Sequence, residues 1–196
     1  MEQNLEVFRT ATEYLDRGVC AVDLAGDEAS YPASQFTDLF AEARALGIPF
    51  TIHAGECHST ENVRTSIEMG AKRIGHGIAM KEDPELMKLA AERDVGIEMC
   101  PCSNFQTKAV QEGEEYPLAL FWEQGLLVTV NTDNRTVSQT SETRELKMAL
   151  ELMEASQKPV EDEKTFCRKL MENSIRTAFL PEEEKERLRH ILENFS

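Results

Sequence analysis

The chain has 196 residues, and its 36 acidic against 21 basic residues give a formal charge of −15. A surface that negative repels phosphate backbones and anionic lipid, so neither nucleic acid nor a membrane is an expected partner. At 41% hydrophobic and 29% charged the chain can fill a sizeable core, and its length suits a single domain, 1–196.

No stretch reaches the length of a membrane span, and the opening MEQNLEVFRT lacks a basic-then-apolar leader pattern. Cys20, Cys57, Cys100, Cys102 and Cys167 form an odd set without framework spacing, which reads as reduced thiols in a cytoplasmic protein. Cys100-Pro-Cys102 is the one close pair, and it reads as structural.

In chain order, a helix is predicted at about 2–17. Short apolar runs then alternate with amphipathic segments of helix length. The runs are 19–25 (VCAVDLA), 48–54 (IPFTIHA), 72–77 (KRIGHG), 95–100 (VGIEMC) and 126–132 (LLVTVNT). The helical patterns fall at about 34–46, 60–69, 84–93 and 117–124. Gly47, Gly70, Gly96 and Gly125 punctuate the returns from helix to strand, as residues just past a helix end do. Runs without polar alternation imply strands buried on both faces, hence a parallel α/β sheet with right-handed crossovers. Helices near 141–155, 160–172 and 182–194 close the chain, the last opened by Pro181 and three glutamates that suit its dipole.

Polar residues gather where these strands end. Asp23 lies late in the first run with Gly26-Asp27-Glu28 beyond it. His53 and Glu56 finish the second, and His76 the third. Ser103 and Asn104 follow the fourth, and Asn131 and Asp133 close the fifth. In parallel α/β folds that edge is where sites are built. His53, His76 and Asp133 are residue types that bind zinc, and zinc makes hydroxide available at neutral pH. A carboxylic acid such as Glu56 can deliver a proton to the atom opposite the attack, so the composition of the cluster suits a metal-assisted hydrolase.

Other chemistries lack their motifs. There is no GxSxG and no GxxxxGK[ST], and Met80 occupies the third glycine position of a dinucleotide fingerprint started at Gly75. The H-x-E…P-C-x-x-C zinc deaminases are excluded too, because Phe105 stands where their second cysteine belongs and His53 to Glu56 is spaced HxxE.

HAGE at 53–56, RIGHG at 73–77, CPCSN at 100–104 and NTDN at 131–134, with VDLAGDE at 22–28 before them, closely resemble the adenosine deaminase family. The resemblance implies a (β/α)₈ barrel of the TIM type and hydrolysis of the 6-amino group of a purine nucleoside, adenosine to inosine. It also implies one zinc ion, held in part by His53 and Asp133. Glu56 would protonate ring nitrogen N1, and His76 would be the base or electrostatic partner of the attacking hydroxide. Gly26 would offer its backbone N–H to ring nitrogen N3. Asn134 stands where many members have a second aspartate contacting N7, and its amide can donate the same hydrogen bond. Cys102 departs from the usual Thr or Leu, with no function attached to it.

The family's first strand carries an HxH pair, and this chain has none; its histidines are His53, His58, His76 and His190. Five strands against eight imply an incomplete barrel that lacks its first three units. Open sheet edges of such a sheet would favour self-association or pairing with another chain. His58 reads as a solvated loop histidine, with replacement of a missing ligand as the alternative, and His190 reads as part of the last helix. Adenine is an alternative substrate within the family. AMP is not favoured, because nothing forms a basic phosphate pocket.

Overall fold

Residues that alternate along a strand face opposite sides of a sheet, and here the two sides differ in chemistry. The strands of the computed structural model, which describes residues 2–15, 17–158, 160 and 162–194, are β1 (Val22–Leu24), β2 (Phe50–Ala54), β3 (Arg73–His76), β4 (Gly96–Met99) and β5 (Leu127–Val130). They form one parallel sheet in the order β1-β2-β3-β4-β5.

One face carries Phe50, Ile52, Ile74, Ile97, Met99, Val128 and Val130, all within the hydrophobic core. The opposite face carries Asp23, Thr51, His53, Arg73, Gly75, Glu98 and Thr129. On that side Thr51 donates its hydroxyl to Glu98 Oε2 at 2.9 Å. The strands therefore do alternate, apolar toward the helices and mostly polar toward the concave side. Their burial on both faces hides this from a reading by hydropathy alone.

The helices follow the expected spacing. They are α1 (Glu2–Tyr14), α2 (Thr37–Ala45), α3 (Thr60–Glu68), α4 (Pro84–Glu92), α5 (Pro101–Gln106), α6 (Leu118–Glu123), α7 (Arg135–Ser138), α8 (Glu142–Ala155), α9 (Glu163–Thr177) and α10 (Glu182–Glu193). Short 3₁₀ turns at Ala33–Phe36 and Ile78–Glu82 precede α2 and α4. Local chemistry sets the starts: Ser59 accepts from the Asn62 N–H, Ser141 from that of Arg144, and Asp83 from that of Leu86 with Pro84 as the first helical residue. α1 packs through Phe8 edge-on to Phe40, 5.6 Å between centroids, and Phe40 lies 4.5 Å from Phe50 beneath the sheet.

Two expectations change, and one element is added. The predicted first helix ends at Tyr14 rather than 17, and residue 16 lies outside the described residues, as does residue 161 of the segment predicted at 160–172. Gly47, Gly70 and Gly125 have positive φ and end helices as expected, but Gly96 belongs to β4. Asp94 (φ 52°) makes that turn instead. A Cβ on Gly96 would lie 2.8 Å from Thr177 Cγ2, so its small size serves the close passage of the end of α9. Residues 101–106, to which the sequence pattern assigned no element, form α5, begun by Pro101.

The two sheet edges differ. Asn173 of α9, buried, donates to the carbonyl of Val128 at 2.9 Å, on the side of β5 turned away from β4. That edge is partly covered, whereas β1 is short and its Asp23 side chain is 45% exposed. Among the described residues no helix is long and apolar enough to cross a membrane.

Candidate functional site

Parallel pairing brings the C-terminal strand ends to one rim. His53 pairs in register with Gly75, and Ala54 with His76. A Cβ on Gly75 would sit 2.7 Å from His53 Cδ2, so the imidazole occupies space that only glycine leaves open. The His53 and His76 rings meet edge to face, 4.9 Å apart at 89°. His53 Nε2 stands 3.2 Å from Asp23 Oδ2. Burial is the largest single influence on His53 and disfavours its charge. The Asp23 hydrogen bond and charge, with Asp133 and Glu98, outweigh it and raise the imidazole pKa above its ordinary value.

His76 sits at φ 67°, in the left-handed region, and is 2% exposed. Burial pushes its pKa below the ordinary value, with the neighbouring Glu56 pulling the other way. Its Nε2 lies 3.7 Å from Glu56 Oε2, and its Nδ1 lies 3.0 Å from Asn104 Nδ2. Glu56 Oε1 accepts from the Thr107 hydroxyl at 2.8 Å. Asp133, also in the left-handed region (φ 51°), accepts from Ser103 Oγ at 2.7 Å. Ser103, Asn104 and Thr107 all come from α5 and the residue after it, so the helix missed in the sequence holds three of the four polar groups. A cavity of about 570 Å³ is lined by Asp23, His53, His76, Glu98, Asp133 and Asn134, among others.

Gly26 (φ 146°) lines an adjoining cavity of about 300 Å³ that shares Asp23 and His53. Asn134 Oδ1 is committed to the N–H groups of Thr136 and Val137, capping α7, which leaves Nδ2 as the end able to donate elsewhere. His58 is exposed in the loop after HAGE and His190 is exposed on α10. Neither lines the two cavities.

One residue without a role in the sequence reading organises this rim. Glu28, 8% exposed, accepts the successive backbone N–H groups of Gly55 (2.6 Å), Glu56 (3.0 Å) and Cys57 (3.2 Å). It also accepts from Asn62 Nδ2 at 2.8 Å, and Asn62 Oδ1 in turn accepts from the Ala33 N–H. Three consecutive N–H groups closing on one anion form a nest, and this one fixes the turn that presents Glu56. Glu28, the last residue of VDLAGDE, gave no spacing signal toward HAGE, because the partnership spans 27 residues and a whole strand.

His53 and Asp133 fit two positions of a zinc coordination sphere by donor type, and structural or catalytic zinc keeps at least three protein ligands. Among the described residues no three His, Cys, Asp or Glu side chains converge as a metal site. A closed zinc site is therefore not assembled from these residues alone.

The parallel βα units and a polar rim at their C-terminal edge define part of an α/β barrel of the TIM type. The sequence matches the family described as adenosine deaminase over residues 1–195. It is 43% identical over 183 residues to an adenosine deaminase of Enterococcus faecalis, covering 93% of this chain and 52% of that protein. It is 42% identical over 188 residues to an adenosine deaminase of Haemophilus ducreyi, covering 94% and 53%. Among solved structures, an adenine deaminase from Arthrobacter aurescens superposes with a TM-score of 0.80 at 25% identity, over 96% of this chain and 57% of that one. A bacterial amidohydrolase solved with bound Zn superposes with a TM-score of 0.78 at 23% identity, over 98% and 53%. The chain belongs to the adenosine deaminase family, and it spans about half the length of the curated relatives it matches.

Proposed function

We propose that this chain carries the acid–base side of an adenosine deaminase site, acting in the zinc-dependent hydrolysis of adenosine to inosine with release of ammonia. The observation that carries the reading is the gathering of His53, Glu56, His76 and Asp133 from the ends of β2, β3 and β5 at one rim, in a chain 43% identical to a protein named adenosine deaminase.

The chain's own residues divide the work. Thr107 donates to Glu56 Oε1, so a proton on this carboxyl resides on Oε2, the oxygen turned toward His76 and available to a purine ring nitrogen. The Glu28 nest holds that carboxyl in place, and Asn134 Nδ2 and the Gly26 N–H offer donors to ring nitrogens. His53 and Asp133 are the two ligands the chain offers to zinc. When bound, zinc lowers the pKa of a coordinated water to about 7. A solved neighbour with bound Zn supports the choice of metal.

A second reading is favoured by the lack of a third convergent ligand among the described residues. In it the chain supplies part of a site that another polypeptide completes, and the exposed β1 edge is where that polypeptide would pair.

Turnover of adenosine and of adenine by the purified 196-residue chain, with zinc and with a chelator, separates these. Chelator-sensitive adenosine turnover that disappears in Glu56→Gln, with zinc content retained, supports the first reading. Folded protein without turnover, losing zinc to a mild chelator, refutes it for the isolated chain and favours the second.

A further inference from the structure

Behind His76 lies a buried polar chain that the reaction scheme above does not use. Asn104 is fully buried and Tyr116 is 3% exposed. Tyr116 Oη donates to Asn104 Oδ1 at 2.9 Å, and Asn104 Nδ2 stands 3.0 Å from His76 Nδ1. The hydroxyl has one proton to give, and Asn104 Oδ1 is the acceptor that takes it.

This order of donors decides the amide orientation. With Asn104 turned over, its NH₂ would face the phenol, and the tyrosine proton would have no acceptor among these groups. An unmade hydrogen bond at so buried a hydroxyl is costly, so the amide keeps its oxygen toward Tyr116. Its NH₂ then points at His76, and a ring nitrogen that receives an N–H cannot carry its own proton.

We propose that Tyr116 and Asn104 are positioning residues that fix the tautomer of His76, holding Nδ1 as an acceptor and the single proton of the neutral ring on Nε2. The ring then presents an N–H to the rim, 3.7 Å from Glu56 Oε2. His76 enters the site as a hydrogen-bond donor and electrostatic partner, not as a free base through Nε2. This choice between the two roles rests on the deaminase reading, whereas the tautomer assignment itself does not.

The test is a long-range ¹H–¹⁵N correlation spectrum of the full chain labelled in histidine nitrogen, with His76 assigned by its absence in His76→Gln. The expected pattern is an unprotonated Nδ1 and a protonated Nε2. Asn104→Asp replaces the donor by an acceptor and should reverse the pattern, placing the proton on Nδ1. Tyr116→Phe frees the amide to turn and should shift the tautomer ratio toward Nδ1–H by about fivefold, the scale of one lost hydrogen bond. A wild-type ring protonated on Nδ1, or averaging evenly between tautomers, would overturn the proposal. So would a Tyr116→Phe spectrum unchanged from wild type, and that variant serves if Asn104→Asp does not fold. An intact Nε2–H pattern in protein without deaminase activity would sink the functional reading and leave the tautomer assignment standing.

Discussion

Replacing Glu28 tests whether the nest at the start of the HAGE turn is structural glue or a bystander. The carboxylate takes four hydrogen bonds, two of them, from Gly55 N–H and Asn62 Nδ2, wholly within the protein. Hydrogen bonds to a charged acceptor contribute about 1.5–3 kcal/mol each. Removing the acceptor leaves the two buried donors, Gly55 N–H and Asn62 Nδ2, unsatisfied, at about 1–3 kcal/mol each. Glu28→Ala should therefore lose about 2–6 kcal/mol of stability.

Glu28→Gln keeps one oxygen for Gly55 and Asn62 but turns an NH₂ toward the Glu56 and Cys57 N–H groups, and should lose about 2 kcal/mol. Urea unfolding followed by circular dichroism reads both as shifts of midpoint at constant slope. Adding Asn62→Ala should cost less in the Glu28→Ala background than alone, because the two side chains share a bond. A Glu28→Ala protein within about 1 kcal/mol of wild type would refute the reasoning, since surface substitutions away from such partners produce changes of that size.

Gly55→Ala should destabilise by about 2–4 kcal/mol, from the left-handed φ of 83° and a Cβ only 2.7 Å from Val63 Cγ2; an unshifted urea midpoint would contradict this. Gly75→Ala should displace the His53 ring, and a crystal structure of that variant with the imidazole unmoved would show that the 2.7 Å approach to Cδ2 is relieved elsewhere. The Asp83 carboxyl is held below its ordinary pKa by the Leu86 N–H first, and by Arg64. Its folded-state pKa being depressed, the stability it adds is present above the unfolded carboxylate range near 3.9 and fades as pH falls through the folded value. Melting temperatures of Asp83→Ala and wild type should thus differ at pH 7 and converge in strong acid; a gap that widens with acid would reverse the sign of the argument.

The five strands were legible because runs of six or seven residues, closed by polar groups, alternate with segments of helix length. What hydropathy could not show was the facing of each residue. Thr51 and Glu98 read as minor interruptions of apolar runs, yet they belong to a mostly polar concave face whose members meet only after pairing.

The site was readable where chemistry sits on the strand ends, as with His53, Glu56, His76 and Asp133. It was not readable where support comes from across the fold. Glu28 reaches residues 55–57, Ser103 reaches Asp133, and Tyr116 reaches His76 through Asn104, and none of these links has a sequence period. α5 escaped because six residues with Pro at the start and no apolar repeat resemble a turn. The Gly96 assignment failed for a related reason, since glycine marks close packing as readily as a helix end.

The strands stand in the sheet in the order in which they occur in the chain, so each strand after β1 has a neighbour already made when it emerges from the ribosome. Pairing can proceed by accretion, one crossover at a time, without waiting for a distant segment or inserting between strands already joined. Mechanical or thermal loss should then travel as in a stack, from an end inward and from each unit to the next. Pulse-labelled hydrogen exchange during refolding would reveal that itinerary as protection appearing along the sheet in sequence rather than all at once.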